Sequence, residues 1–420
     1  MTEPSRHIVV IGAGIIGAAT AEALAGAGHR VTLVEPGAPG GEQAASFGNG
    51  AFLSPASIMP MSVPGIWMKV PGYLLDPTGA LTLRWRHLPR LMPWLIRFLL
   101  AGATRAKVER TAALLAGLLA DAPALHRQLA DRIGRPELIR QDGLVYAYAD
   151  RSAFAADGLG WELRRRHGVQ MVELDREALA ARVPSLSPAY GFGILLTEGG
   201  HCTDPGGYVA ALVEAALARG ATLRRTRATG FEVAGDRLTA VRTEDGPIAC
   251  DGAVIAAGIR SKALAAAAGD AVCLESERGY HVEVLDPAVS PEIPVLPADG
   301  RMANVRTRTG LRAAGQVELA STDAPPDWHR ADILLAHLKH TWPGLGTPER
   351  VTRWQGNRPS TPDGKPVIGR ASRSPDILHA FGHGHIGLAS APMTAALITD
   401  LVAGRSPRLD IAPFAAARLR

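Results

Sequence analysis

The sequence predicts an α/β fold in which a doubly wound nucleotide-binding domain is assembled from discontinuous segments around an inserted α+β domain with an antiparallel sheet. Three observations predict it. Ile8-Val9-Val10-Ile11 runs straight into Gly12-Ala13-Gly14-Ile15-Ile16-Gly17, and a helical pattern follows to Gly26 without a break. Buried-strand signals return much later, at Gly252 to Gly258 and at Ile377 to Phe381, each ending in glycine. At 420 residues, with 47% hydrophobic composition, the chain is long enough for two packed cores.

The first element carries its own chemistry. Gly12 permits the tight turn, Gly14 lets a pyrophosphate approach the backbone, and Gly17 lets the helix pack on the strand. Ile15 and Ile16 open that helix, where free N–H groups and the positive dipole end face the phosphates. The second strand, Val31-Thr32-Leu33-Val34, ends at Glu35. A carboxylate there accepts hydrogen bonds from ribose hydroxyls and disfavours a 2′-phosphate.

The remaining elements follow in order. Gly37 to Gly50 reads as a loop, and the Pro-, Met- and Trp-rich stretch from Ser54 to Pro93 as irregular. Helical periodicity runs from Trp94 to Ile133, with a break expected at Pro123. A strand at Gly143 to Tyr148, an Arg-rich helix at Trp161 to His167 and a helix at Pro205 to Gly220 come next. Ala221-Thr222-Leu223 begins a strand that leads to a hairpin at Gly235-Asp236. Alternating strands around Tyr280 to Val284, Met302 to Val305 and Leu311 to Leu319 suggest the antiparallel sheet, and a helix from Leu388 to Val402 closes the fold. The expected division is residues 1–57, 190–274 and 353–420 for the nucleotide domain, with 58–189 and 275–352 for the inserted substrate domain.

Composition excludes several classes. The net charge of +5 comes from 45 basic against 40 acidic residues, too balanced for a nucleic-acid footprint. Cys202, Cys250 and Cys273 fit neither a disulfide framework nor a metal knuckle, so reduced thiols and no metal site are expected. No apolar run of about 18 residues is present, and Met1 to Arg6 lack a secretory pattern. The expectation is a cytoplasmic chain, or one peripheral on the cytoplasmic side of the inner membrane.

Two segments point to a flavin rather than a nicotinamide. Ala44-Ala45-Ser46-Phe47-Gly48-Asn49-Gly50 offers small and amide residues for the far side of a flavin pyrophosphate, with Ser46, Asn49 and Gly50 as contacts. Phe381-Gly382-His383-Gly384-His385-Ile386-Gly387 leads into a helix whose N-terminus stabilises the negative charge of a reduced flavin; Gly382, His383, Gly384 and Gly387 are the candidates there. The alternative is a plain helix start with surface histidines. Thr229, Ala257 and Gly258 are further candidate contacts.

With these motifs and Arg278-Gly279-Tyr280, the chain resembles the FAD-dependent D-amino-acid oxidase and dehydrogenase superfamily. It is most similar to the bacterial D-amino-acid dehydrogenases of small-subunit type. Their W-x-G-x-R-P-x-T-P-D-G-x-P pattern is met by Trp354, Gly356, Arg358, Pro359, Thr361, Pro362, Asp363, Gly364 and Pro366. The resemblance implies a Rossmann-like FAD-binding domain, noncovalent FAD and an amino-acid substrate. It implies oxidative deamination of D-amino acids by hydride transfer from Cα to flavin N5, with electrons passing to a quinone or another non-oxygen acceptor.

Residue by residue, the resemblance makes Arg358 the clamp for the substrate carboxylate, Tyr280 a polar contact to substrate, and His385 a residue beside the flavin. Alternatives stay open: Arg358 paired with Asp363, and Tyr280 packed only against the ring. Tyr146 and Tyr148 share one strand face and line either the pocket or the core. His385 replaces the hydroxyl residue usual in the dehydrogenases, which admits D-proline and cis-4-hydroxy-D-proline as substrates. No dedicated base is named.

Trp67, Met68, Trp85, Trp94, Leu95, Phe98 and Leu99, interleaved with Arg84, Arg86, Arg90 and Arg97, suggest an interfacial patch reaching a membrane quinone; packing into the substrate domain is the alternative. An oxidase of glycine, sarcosine or D-amino acids that makes hydrogen peroxide is the competing activity. A noncatalytic flavin-binding subunit is the competing class. Oligomeric state is open.

Overall fold

The computed structural model describes residues 5–68, 72, 76, 79 and 81–419. Its nucleotide-binding half is a six-stranded sheet in the order Thr222–Arg224, Arg30–Val34, His7–Ile11, Gly252–Ile255, Ile377–Phe381 and Val367–Arg370. The first five strands run parallel and the last is antiparallel. Near-continuous apolar runs suit these strands because helices and loops cover both faces of the sheet. From His7–Ile11 the chain moves to one side, then returns on the other with Gly252–Ile255. The carboxyl ends of these two neighbours therefore form the switch point, followed by Gly12 on one and Ala256, Ala257 and Gly258 on the other.

Helix Ile15–Gly26 is buried almost all round, packed against helices Pro205–Ala218 and Gly387–Val402. Its alanines, Ala18, Ala19, Ala21 and Ala25, let three helices approach closely. Glu22 is buried at 1% exposure and is bonded by Arg132 at 2.7 Å and by Arg219. Helix Gly387–Val402 is mostly apolar and mostly buried as core.

The second half is a nine-stranded, largely antiparallel sheet. Its order is Val351–Ser360, Glu275–Leu285, Gly310–Leu319, Ala303–Arg306, Val295–Pro297, Leu144–Tyr148, Phe192–Leu196 and Met171–Leu174, with Leu81–Leu83 beside Gly310–Leu319. Helix His329–Thr341 covers one face. The hairpin expected at Gly235 joins Ala228–Ala234 to Arg237–Thr243 in a separate three-stranded sheet.

Four expectations are corrected. Phe192–Leu196 pairs with Leu144–Tyr148 and Met171–Leu174, so the boundary at 190 opens with a strand of the substrate sheet. Val351–Ser360 is an edge strand of that same sheet, so the boundary at 353 cuts through it. A short strand has the same pattern in either sheet, and only its pairing assigns it. Pro123 does not break the helical region but opens helix Ala122–Arg132, where its missing N–H costs nothing; the breaks fall at Gly102 and Ala120. Helix Leu88–Ala101 also starts earlier than expected, and the rest of the irregular stretch lies partly outside the described residues.

Burial would raise the Glu22 carboxyl, but the two arginine bonds outweigh it and hold the group below its ordinary value. Glu283 is likewise lowered, burial being outweighed by Arg312 and the hydroxyls of Thr307 and Thr309. Such groups stabilise the fold fully above the ordinary carboxylate range and lose that contribution as pH falls through it. Urea unfolding should therefore show stability falling below about pH 5, and Glu22→Gln should cost about 1–2 kcal/mol at neutral pH. The variant should also show a shallower acid loss; an acid slope equal to the parent's would remove Glu22 from this role.

Candidate active site

A continuous cavity of about 2410 Å³ lies between the two sheets and runs from Glu35 and Gly37 to Arg358, Gly315 and Tyr146. At its nucleotide end Gly12 has φ +101°, and a Cβ there would lie 2.6 Å from the Ala256 carbonyl oxygen. A Cβ on Gly17 would collide with the Gly12 carbonyl, so Gly17 acts through packing and does not line the cavity. At Gly14 a Cβ would meet only Ser46 Oγ, at 3.5 Å, which leaves the backbone open to a ligand.

The helix start is held by neighbouring loops. Ile15 N–H donates to Ser46 Oγ at 2.9 Å, and Glu35 accepts from Ala13 N–H at 3.0 Å and Gly37 N–H at 2.9 Å. Each Glu35 oxygen keeps a lone pair for a hydroxyl. Asn49 Oδ1 accepts from Ala51 N–H at 2.8 Å, which shapes the turn at Gly50 around an alanine with φ +61°. Ile15, Ile16, Asn49, Gly50, Thr229, Ala257 and Gly258 all line the cavity, as do Gly382, His383, Gly384 and Gly387. An anion-ready helix start, a ribose-ready carboxylate and an elongated space between two nucleotide loops fit an extended dinucleotide.

His383 is buried at 3% exposure, its Nε2 is 3.1 Å from Thr394 Oγ1, and burial lowers its pKa to about 3. The histidines of this loop are thus not surface groups. His385 is exposed to the cavity, yet enclosed by protein; burial and the nearby Arg358 charge lower its pKa to about 4, so it is neutral. Gly384–Ile386 forms a 3-10 turn ahead of the helix rather than leading directly into it.

Arg358 lies deep in the cavity wall, and burial lowers its pKa with Glu277 partly opposing. Its Nη1 donates to Gln316 O at 2.9 Å and its Nη2 to Gly315 O at 3.2 Å. Asp363, the alternative partner, instead pairs with Arg418 at 2.9 Å and Lys365 at 3.3 Å. The guanidinium therefore meets neutral carbonyls and keeps its charge for a ligand. Room for it comes from Gly279, where a Cβ would overlap the Arg358 Cζ.

Tyr280 requires correction. Its ring is 1% exposed, packs in the core beneath helix His329–Thr341 and does not line the cavity. Its hydroxyl donates to Glu318 Oε2 at 2.6 Å and accepts Asp327 N–H at 2.9 Å. Burial pushes its pKa up to about 12. Alternation along the strand puts Gly279 on the cavity side and Tyr280 on the other. Tyr146 and Tyr148 do both things: they line the cavity and pack with Trp161 and Phe154.

The chain matches the protein family described as "DAO: FAD dependent oxidoreductase" over residues 7–401. It belongs to that family. It is 50% identical to a D-amino-acid oxidase of Bradyrhizobium diazoefficiens, over 98% of this chain and 99% of that one. It is 31% identical to D-amino acid dehydrogenase 2 of Ralstonia nicotianae, over 98% and 100%. Among solved structures, the glycine oxidase of Geobacillus kaustophilus superposes with a TM-score of 0.76 at 22% identity, covering 99% of each chain. The L-proline dehydrogenase of P. horikoshii gives 0.74 at 20% identity, covering 100% and 98%. This DAO-family chain is thus an FAD-dependent oxidoreductase acting on amino acids, with the DAO fold.

Several site features escaped the sequence reading. Trp354 is wedged between Gly48 and Gly356, since a Cβ on either would overlap its ring, and its Nε1 donates to Glu42 O at 2.9 Å. This contact ties the flavin-loop segment to the substrate sheet. Gln316 adopts φ +57° within a bulge opposite Gly279, which turns backbone carbonyls toward Arg358. The glycine of Arg278-Gly279-Tyr280 was the available signal.

Gly14→Ala should leave the thermal stability of the cofactor-stripped protein nearly unchanged while weakening FAD binding at least tenfold in a fluorescence titration. Gly17→Ala should lower the stability itself. Equal FAD affinity in Gly14→Ala and the parent would contradict the pyrophosphate assignment.

Proposed function

We propose that the protein oxidises D-amino acids, with Arg358 holding the substrate carboxylate and Cα presented to the flavin. The single observation that carries this reading is Arg358, half-buried in the cavity wall and anchored on two neutral carbonyls, with no acid in salt-bridge contact among the described residues. A guanidinium fork meets a carboxylate bidentately and so fixes both position and orientation. FAD, when bound, supplies the hydride acceptor. The chain's own part is to orient the substrate, exclude water and keep a neutral imidazole, His385, at the reacting end. Stereochemistry is supported by the names of the relatives, at 50% and 31% identity.

For the acceptor, we favour a membrane quinone. Helix Leu88–Ala101 turns Leu91, Trp94, Leu95 and Phe98 toward the cavity, while Met92, Ile96 and Leu100 stand on its outer face at 38%, 50% and 56% exposure. Trp67, Met68 and Trp85 are each more than 60% exposed, with Arg86, Arg90 and Arg97 exposed nearby in sequence. Apolar and basic side chains in that arrangement suit an anionic lipid surface on the cytoplasmic side. The expected patch is narrower than its sequence suggested: Trp94 is 2% exposed and stacks on Phe98, and Arg84 turns inward to Glu318. Oxygen is the second reading, favoured by the printed name of the 50% relative.

The test is anaerobic reduction of the purified flavoprotein by a panel of D- and L-amino acids, including D-proline and cis-4-hydroxy-D-proline. Bleaching of the flavin band by D-enantiomers is expected; an unbleached flavin across the panel overturns the reading. Reoxidation should then be at least tenfold faster with a soluble ubiquinone analogue than with air-saturated buffer, and peroxide formed at the rate of substrate turnover would favour the oxidase.

A further inference from the structure

Glu277 stands directly opposite Arg358 in the antiparallel pairing of Glu275–Leu285 with Val351–Ser360. Cross-strand partners project from the same face of a sheet, and both side chains line the cavity. They do not close on each other. The guanidinium lies along the sheet over Gly279 and donates to the carbonyls of Gly315 and Gln316, and no ion pair joins it to Glu277. Glu277 is 7% exposed. An acidic and a basic side chain that share one wall of the cavity without closing into a salt bridge match the two ends of a zwitterion.

We propose that Glu277 receives the ammonium group of the amino acid whose carboxylate Arg358 holds, and takes its proton before hydride transfer. This rests on the amino-acid oxidation proposed above. One N–H bond of the substrate breaks and one O–H bond forms on Glu277, the electron pair remaining on nitrogen. When the Cα hydrogen then leaves as hydride to FAD, that pair forms the C=N bond of the iminium product. The proton passes from Glu277 to solvent when product leaves.

The surroundings suit the role. Burial lifts the Glu277 carboxyl above its ordinary value, and the Arg358 charge and the Ser360 hydroxyl only partly offset it. The other titratable groups facing this corner are His383 and His385, lowered to about 3 and about 4, and Asp363, held low by Arg418 and Lys365 against its burial. Of these groups, Glu277 is the one whose pKa is raised.

The competing role is a structural counter-ion for Arg358, and the test separates the two. Holoenzyme of the parent and of Glu277→Gln is reduced anaerobically with D-alanine and D-proline between pH 6 and 10, and benzoate binding is followed by the flavin spectrum. The variant should be reduced about 10²-fold more slowly at pH 7 and recover roughly tenfold per pH unit as the free amine forms. Benzoate, which has no amine, should bind at least as tightly as to the parent. Glu277→Asp, which keeps a carboxylate, should be reduced faster than Glu277→Gln and with the parent's acid limb, so a Gln variant that loses FAD leaves a decisive comparison. A Gln profile matching the parent's, tighter binding of zwitterion and benzoate alike, or an Asp variant without the acid limb overturns the role of Glu277 alone. A parent flavin that no D-amino acid reduces overturns amino-acid oxidation, and the role of Glu277 with it.

Discussion

A guanidinium held inside the protein on neutral carbonyls is the interaction on which the rest of the site depends. Arg358 has lost much of its hydration without gaining a carboxylate, an arrangement that carries a desolvation cost until an anion arrives. The surrounding backbone is built to hold it there. Gly279 leaves the space, Gln316 takes a left-handed conformation that aims carbonyls at it, and Trp354 locks the same strand against the loop at Gly48. Most of these features lie on regular strands, which fixes the guanidinium more firmly than a loop would.

That constraint explains the division of the fold. The six-stranded sheet presents its carboxyl ends and the helix start at Gly14 to one end of the cavity, and the nine-stranded sheet presents Arg358 to the other. Val351–Ser360 pairs within the substrate sheet but leads directly back to Val367–Arg370 of the nucleotide sheet. Arg358, the proposed substrate anchor, is therefore carried by the segment that joins the two halves. Loop residues Gly382 to Gly387 close the same corner, where burial lowers the pKa of His383, and enclosure with the nearby Arg358 charge lowers that of His385.

Local patterns in the sequence were legible where the physics is local. A strand running into Gly12, Gly14 and Gly17 specifies its turn through sterics within a few residues, and the structure places those glycines as that pattern requires. The cavity-lining loops at Ser46 and Gly382 followed from the same kind of signal. Pairing partners were not legible: Phe192–Leu196 reads as a strand of either sheet until Leu144–Tyr148 is seen beside it. Direction along a strand misled the reading of Tyr280, whose hydroxyl joins the buried network of Arg84, Arg278 and Glu318 on the far face. Alternation from Arg358 and its partner across the sheet would have selected Glu277 and Gly279 instead, but that requires the register.

The most direct measurement is the affinity of the holoenzyme for a redox-inert carboxylate, benzoate, read from the flavin spectrum in the parent and in Arg358→Met. If Arg358 is an open anion site, the parent binds benzoate and the variant, with its FAD content unchanged, binds at least about 10²-fold more weakly, as expected for losing a bidentate charged pair. Equal affinity in the two proteins would mean that the substrate carboxylate is held elsewhere, and the carboxylate clamp would be wrong.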